Sequence, residues 1–328
     1  MTYSVGGLIQ AADYNTFQTN LNAFWNTGAT DSGWGQTAIS AVSASGIVTA
    51  TNWATLVNNL ATSGSQTTTT LTARTAPVTG NIIAILANVA TDISSCNTRR
   101  GFATSSGAEV GYASGTTSKT TATGSGQTAW TITFTHTITF PSAAQARYFW
   151  NAGGRVRLQY GKSSTGTDID PDWNTFAGLC GSIYVTGRVN SAAQTIAGVS
   201  YTGTTRIGGT GGTQTTLATT TGWYQLTVTP ATIFQLNNTV SPYTGEFIRT
   251  QATATSTTVL TLTTVWSQPT GVTAGGSVNI SGGTAPALGA ITIGAATAPT
   301  TLCTFFPPST AQGLANTWGT PSIAASVA

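Results

Sequence analysis

Apolar side chains recur with two different periods along this chain, helical in its first third and strand-like after it. Tyr14, Phe17, Leu21 and Trp25 follow one another at intervals of three to four residues, as do Trp53, Leu56, Val57 and Leu60. Such spacing predicts amphipathic helices, each with one face to bury. The two stripes belong to an internal repeat. Residues 7–21 (GLIQAADYNTFQTNL) align with residues 46–60 (GIVTATNWATLVNNL), matching Gly7 with Gly46, Tyr14 with Trp53 and Leu21 with Leu60. Each copy opens on a short apolar pair and offers a polar residue, Asp13 or Asn52, suited to cap a helix. Residues 79–94 predict a third helix, with Ile82, Ile83, Leu86, Val89, Ala90 and Ile93 on one face. Short helices are marginal alone in water. Residues 1–100 therefore read as a helical attachment module whose stripes pack on one another or on a partner chain. Tyr14, Phe17, Leu21, Trp25, Trp53, Leu56 and Leu60 are its candidate assembly residues.

Residues 101–127 lose the pattern and become rich in Gly, Ser, Thr and Ala, which predicts a linker. From Thr128 the period is two: Trp130, Ile132, Phe134, His136, Ile138 and Phe140 alternate with Thr. Further strands are expected at 156–160, 182–185, 223–228, 245–254, 257–266, 277–280 and 290–293. Spacing of about ten residues with Gly-rich turns predicts an antiparallel, jelly-roll-like β-sandwich over 128–295. One helix interrupts it. Asp170-Pro171 supplies a start signal, and Trp173, Phe176, Ala177 and Cys180 share a face. Residues 296–328 read as an extended tail lying over another surface. The fold class expected is thus mainly β with a small α-helical N-terminal module.

Composition narrows the function. Charged residues make up 6% of the 328, with 11 Lys+Arg against 8 Asp+Glu, whereas about 25% is ordinary. So few scattered cations supply no phosphate-neutralising stripe, which argues against a nucleic-acid partner. Nine Trp and 40% apolar residues argue against a disordered chain. About 70 threonines fit pleated surfaces. Cys96, Cys180 and Cys303 are far apart and read as isolated thiols. The N-terminus has no secretory pattern and no apolar run reaches about 18 residues, so neither an export signal nor a membrane partner is expected.

The sequence offers little chemistry. His136 is the one histidine. It lies on the apolar face of its strand, which reads as a buried core residue rather than a catalytic base. Asp168, Asp170 and Asp172 alternate as at the start of a calcium loop, but Trp173 stands where Gly is needed and no Glu closes the loop. Neither a metal nor any other cofactor is expected, and the chain reads as no enzyme. Gly208-Gly209-Thr210-Gly211-Gly212 lacks the Lys of a phosphate loop and reads as a flexible hairpin tip. The segment Arg147-Tyr148-Phe149-Trp150, followed by a Gly turn and by Arg155 and Arg157, has two readings. It is either a sandwich corner with aromatics in the core, or a contact surface anchored by Arg and aromatic groups.

Several segments resemble virion structural proteins of tailed bacteriophages, especially the large phages of cyanobacteria. They are Gly7-Leu8-Ile9-Gln10-Ala11-Ala12-Asp13-Tyr14-Asn15, then Asp31-Ser32-Gly33-Trp34-Gly35-Gln36. Phe140-Pro141 leading into Ala146-Arg147-Tyr148-Phe149-Trp150-Asn151-Ala152-Gly153-Gly154-Arg155-Val156 is another, and Trp318-Gly319-Thr320-Pro321 a fourth. The resemblance implies a particle component, tail-fibre-like, assembled in the host cytoplasm and resident in the virion. Its partners would be other virion proteins and itself, as a homo-oligomer, a trimer in a fibre. A head decoration or capsid-fibre protein is the alternative. A spike that binds a host surface glycan is a second one.

Overall fold

The computed structural model describes residues 11–28, 32–79, 88–102, 112–118, 130–162, 169–187, 194–196, 199–215, 229–239, 245–268 and 299–328. Two antiparallel sheets form its frame. The first runs in the order β1 (Tyr112–Ser118), β12 (Thr300–Phe306), β3 (Arg155–Gly161), β4 (Ser182–Thr186) and β7 (Thr204–Ile207). The second runs β13 (Ser322–Val327), β2 (Trp130–Thr139), β11 (Val259–Gln268), β10 (Phe247–Ser256), β9 (Ala231–Asn237) and β8 (Thr213–Gln214). A hairpin of β5 (Gln194–Ile196) and β6 (Val199–Tyr201) pairs separately. The protein is mainly β, with antiparallel sheets in a sandwich-like arrangement. β1 pairs with β12 at the edge of the first sheet, and β2 with β11 inside the second. Each sheet is then completed by a meander, β3–β4–β7 or β9–β10–β11.

The period-two pattern of β2 becomes a physical division. Ile132, Phe134, His136 and Ile138 are buried in the core, while Thr131 to Thr139 at odd positions face outward. Between the sheets, Tyr160 of β3 stacks on Phe234 of β9 at 5.8 Å between ring centroids. Its hydroxyl shares a 2.7 Å hydrogen bond with Thr250 of β10. α5 (Ile169–Cys180) packs on β3 and lays Trp173 against Trp266 of β11, centroids 5.6 Å apart. Trp173, Phe176, Ala177 and Cys180 are all buried, as their spacing predicts.

The N-terminal helices are α1 (Ala11–Trp25), α2 (Ala50–Thr67) and α3 (Val89–Arg99). Tyr14 and Trp53, equivalent positions of the repeat, meet edge to face at 5.4 Å. α2 starts one turn earlier than Asn52 suggests. Thr49 is the cap, and Asn52 reciprocates by accepting from the Thr49 backbone N–H. After α1 the chain runs back along the helix, held by amide side chains. Asn15 bonds both backbone groups of Val42, and Asn22 both of Ile39, at 2.7–3.0 Å. The third predicted helix begins later, at Val89; residues 80–87 lie outside the described residues. Arg74 and Asp92 form a buried ion pair that ties α3 to the segment after α2.

Three expectations are corrected. The helical stripes are not left for a partner chain: they belong to one continuous apolar core with the sandwich. The 101–127 linker contains a strand, β1, which pairs with β12 through a bulge between Ser114 and Thr117. The 296–328 tail, described from residue 299, folds onto its own chain, giving β12 inside the first sheet between β1 and β3 and β13 at the edge of the second. Of the expected strands, 223–228, 277–280 and 290–293 lie outside the described residues.

Candidate functional site: an uncharged sheet face and an arginine–aromatic cluster

Tyr14, Phe17, Leu21, Trp25, Trp53, Leu56 and Leu60 are each 6% exposed or less. As assembly residues they are therefore corrected: they make the core, and no neighbouring chain reaches them without unfolding it. What holds the helical module to the sandwich is a junction of residues 33–36 with two distant segments. Trp34, fully buried, donates from Nε1 to the Asn151 carbonyl at 3.1 Å, and Asn151 Nδ2 donates back to Gly33 at 3.0 Å. Gln36 bonds both backbone groups of Ala315, and Thr317 donates to the Trp34 carbonyl. Trp318 and Leu314 are buried beside them.

The 147–157 segment is a corner, but a helical one. Ser142 caps α4 (Ala143–Asn151) by accepting from the Gln145 backbone N–H. Phe149 and Trp150 enter the core, with centroids 4.9 Å apart, and Tyr148 packs against its margin. The helix closes with Gly153 at φ 95° and Gly154 N–H bonded to the Phe149 carbonyl at 2.8 Å. Ser and Gln at capping-box spacing were the readable signal of this helix. Arg147 projects from α4 at intermediate exposure and joins neither Arg155 nor Arg157 in the cluster described next.

Arg155 and Arg157 project from β3 onto the outer face of the first sheet, away from Val156 and Leu158 in the core. A small aromatic cluster of Tyr184 (β4), Tyr201 (β6) and Phe306 (β12) lies there, with Ile207 against it. The Arg155 guanidinium is 4.9 Å from the Tyr201 ring centroid and 5.6 Å from that of Phe306. The Arg157 guanidinium is 4.9 Å from Phe306 and 6.0 Å from Tyr184. Rings at these distances favour the cations electrostatically. The corner and contact readings thus divide: Phe149 and Trp150 plug the core, and the two arginines define an outer face.

The outer face of the second sheet is different. Its in-register rows are Thr137–Thr261–Thr253 and Thr135–Thr263–Gln251. Ala324 and Ser326 of β13 extend them, and Ser322 pairs with Thr139 alongside. Among the described residues of β13, β2, β11 and β10, Arg249 is the only charged side chain on this face. The three long strands have ten residues each, so the face is about 34 Å long and about 20 Å wide.

His136 is fully buried between Leu262 and Ala325 of the adjacent strands. The side chains of Asp168, Asp170 and Asp172 lie outside the described residues. Among the described residues no group of three His, Cys, Asp or Glu side chains comes together, and no helix is long and apolar enough to cross a membrane. Residues 208–212 are no free hairpin tip. They cross from β7 to β8, pinned by Thr210 and Gly211 N–H bonds to the Leu179 carbonyl and by Arg206 on the carbonyls of Gly211 and Gly212. Cys96, Cys180 and Cys303 are free and buried, and burial raises the pKa of each thiol. No protein-family model, curated protein or solved structure matches this chain.

Proposed function

We propose that this chain is a non-enzymatic structural component of a bacteriophage particle, of its tail fibre, neck or baseplate, and that it assembles as a homo-oligomer. The observation that carries the reading is the outer face of the six-stranded sheet. Rows of Thr, Ser and Gln side chains, with Phe247, Val259 and Val265 among them, run across it in register, with one charge among the described residues. Packing such a face against a copy of itself removes almost no charge from water, so the desolvation penalty that burdens charged interfaces is small. Its plan area of about 700 Å² approaches the ~800 Å² per partner of a stable interface. The assembly surface thus lies on the sandwich, and the helical module serves as part of its foundation. The sequence resemblance to tailed-phage virion proteins supports the particle assignment, and a trimer is the stoichiometry it favours.

Antibody raised to the purified chain, applied with gold to intact phage particles, tests the assignment. Label along the tail or at its base is expected. Label over the capsid selects a head decoration protein, and particles that carry none of the chain contradict the proposal.

A further inference from the structure

We propose that the outer face of the first sheet binds the carboxylate of an acidic saccharide, at a site built on Arg157, Thr304 and Tyr184. Arg157 is the direct ladder partner of Thr304 on β12 and of Tyr184 on β4, so the three side chains stand in one row across the strands. Arg157 Nη1 approaches the Tyr184 hydroxyl at 3.5 Å, a long contact. Arg157 Nε and Thr304 Oγ1 are both buried without a hydrogen-bond partner, and Thr304 is 1% exposed. Two orphaned polar groups side by side are rare in a folded protein, because each forfeits the bonds it made in water.

A carboxylate fits the two unpartnered groups, Arg157 Nε and Thr304 Oγ1. One oxygen accepts from Arg157 Nε–H and the other from the guanidinium fork, the planar pairing that arginine favours. The Thr304 and Tyr184 hydroxyls donate to the remaining lone pairs. Arg155 stands two residues along the same face and shares the Phe306 ring with Arg157. It adds a second positive charge close by. The neighbouring row is Leu302–Gln159–Ser182–Ile207, all partly exposed. It alternates apolar surface with amide and hydroxyl groups beside the guanidinium, which suits the body of a sugar better than a bare ion. This site is independent of whether the chain is part of a particle.

Titration of the full chain with glucuronate, acetate and glucose at constant ionic strength, read by melting temperature and calorimetry, tests it. Saturable binding of glucuronate is expected, with acetate weaker and glucose inert. Arg157→Gln should weaken glucuronate about tenfold or more, the usual loss for a charged hydrogen-bonding partner. Thr304→Val removes a buried hydroxyl that has no partner to lose, so the unliganded fold should melt at the same temperature or higher while glucuronate binds several-fold more weakly. No response to glucuronate, or an undiminished response in Thr304→Val, overturns the site. Acetate binding as tightly as glucuronate overturns the saccharide assignment.

Discussion

Burial decides the behaviour of single residues here more than residue type does. The pKa values of Cys180 and Cys303 are pushed well above the ordinary thiol value of 9.0 by desolvation, and that of Tyr160 above 10.0 by the same cause. Groups raised in the folded state contribute stability that is intact below their unfolded values and lost as the pH rises past them. The melting temperature should therefore fall progressively above about pH 9, and Cys303→Ala should show a shallower fall. An aromatic disulfide reagent should find no reactive thiol at pH 8 until the chain is unfolded, when three react. Gln66 is fully buried with neither amide atom hydrogen-bonded. Gln66→Leu should raise stability by about 1–2 kcal/mol in urea titration, since an orphaned amide is removed at similar volume. A Cβ on Gly154 would stand 2.6 Å from the Phe149 ring, so Gly154→Ala should cost about 1–3 kcal/mol. The inward side of β2, including His136, was legible in the sequence because period two reports burial directly. The orphaned Gln66 and Thr304 were not, because satisfaction of a polar group depends on what tertiary packing brings near it.

At the scale of elements, legibility followed how one-sided each element is. α1, α2 and α5 bury one stripe, and their spacing announced them. β12 is buried on both faces, Cys303 and Phe305 toward the sandwich core and Thr304 and Phe306 toward the outer cluster. It therefore shows no alternation and read as tail. β1 carries no bulky apolar residue beyond Tyr112, and its pairing is imposed by β12. α4 was masked by a run of aromatics that resembled a turn-flanking plug, although Ser142 and Gln145 marked its start. The repeat announces two helices, but whether they face a partner or their own chain depends on Trp34, Gln36 and Thr317, which sequence spacing cannot bring together. This junction gives an expectation at the same scale. Deleting residues 1–100 should leave a fragment that aggregates or lacks a cooperative melt, because it removes the partners of Asn151, Ala315 and Thr317 and opens the shared apolar core. A soluble fragment with a sharp transition would show that the helices are a dispensable appendage.

At the scale of the whole molecule, a chain with 6% charged residues has little to keep copies apart in solution. In the proposed assembly, threonine on the outer sheet face makes the uncharged surface regular, which would let association be specific and closed symmetry end it. Cross-strand Thr pairs contribute about 0.2–1 kcal/mol each within the sheet, which leaves the face rigid before any partner arrives. The central claim is that this face joins copies of the chain. The most direct test is light scattering coupled to size exclusion, on the natural chain and on the double variant Thr135→Lys, Thr263→Glu. These two positions are cross-strand partners, so the introduced charges pair within one chain and preserve its fold, yet must be desolvated if the face is buried. The account predicts a closed oligomer, a trimer, for the natural chain and a folded monomer for the variant. A natural chain that remains monomeric at micromolar concentration, or an oligomer that the variant leaves intact, would contradict it.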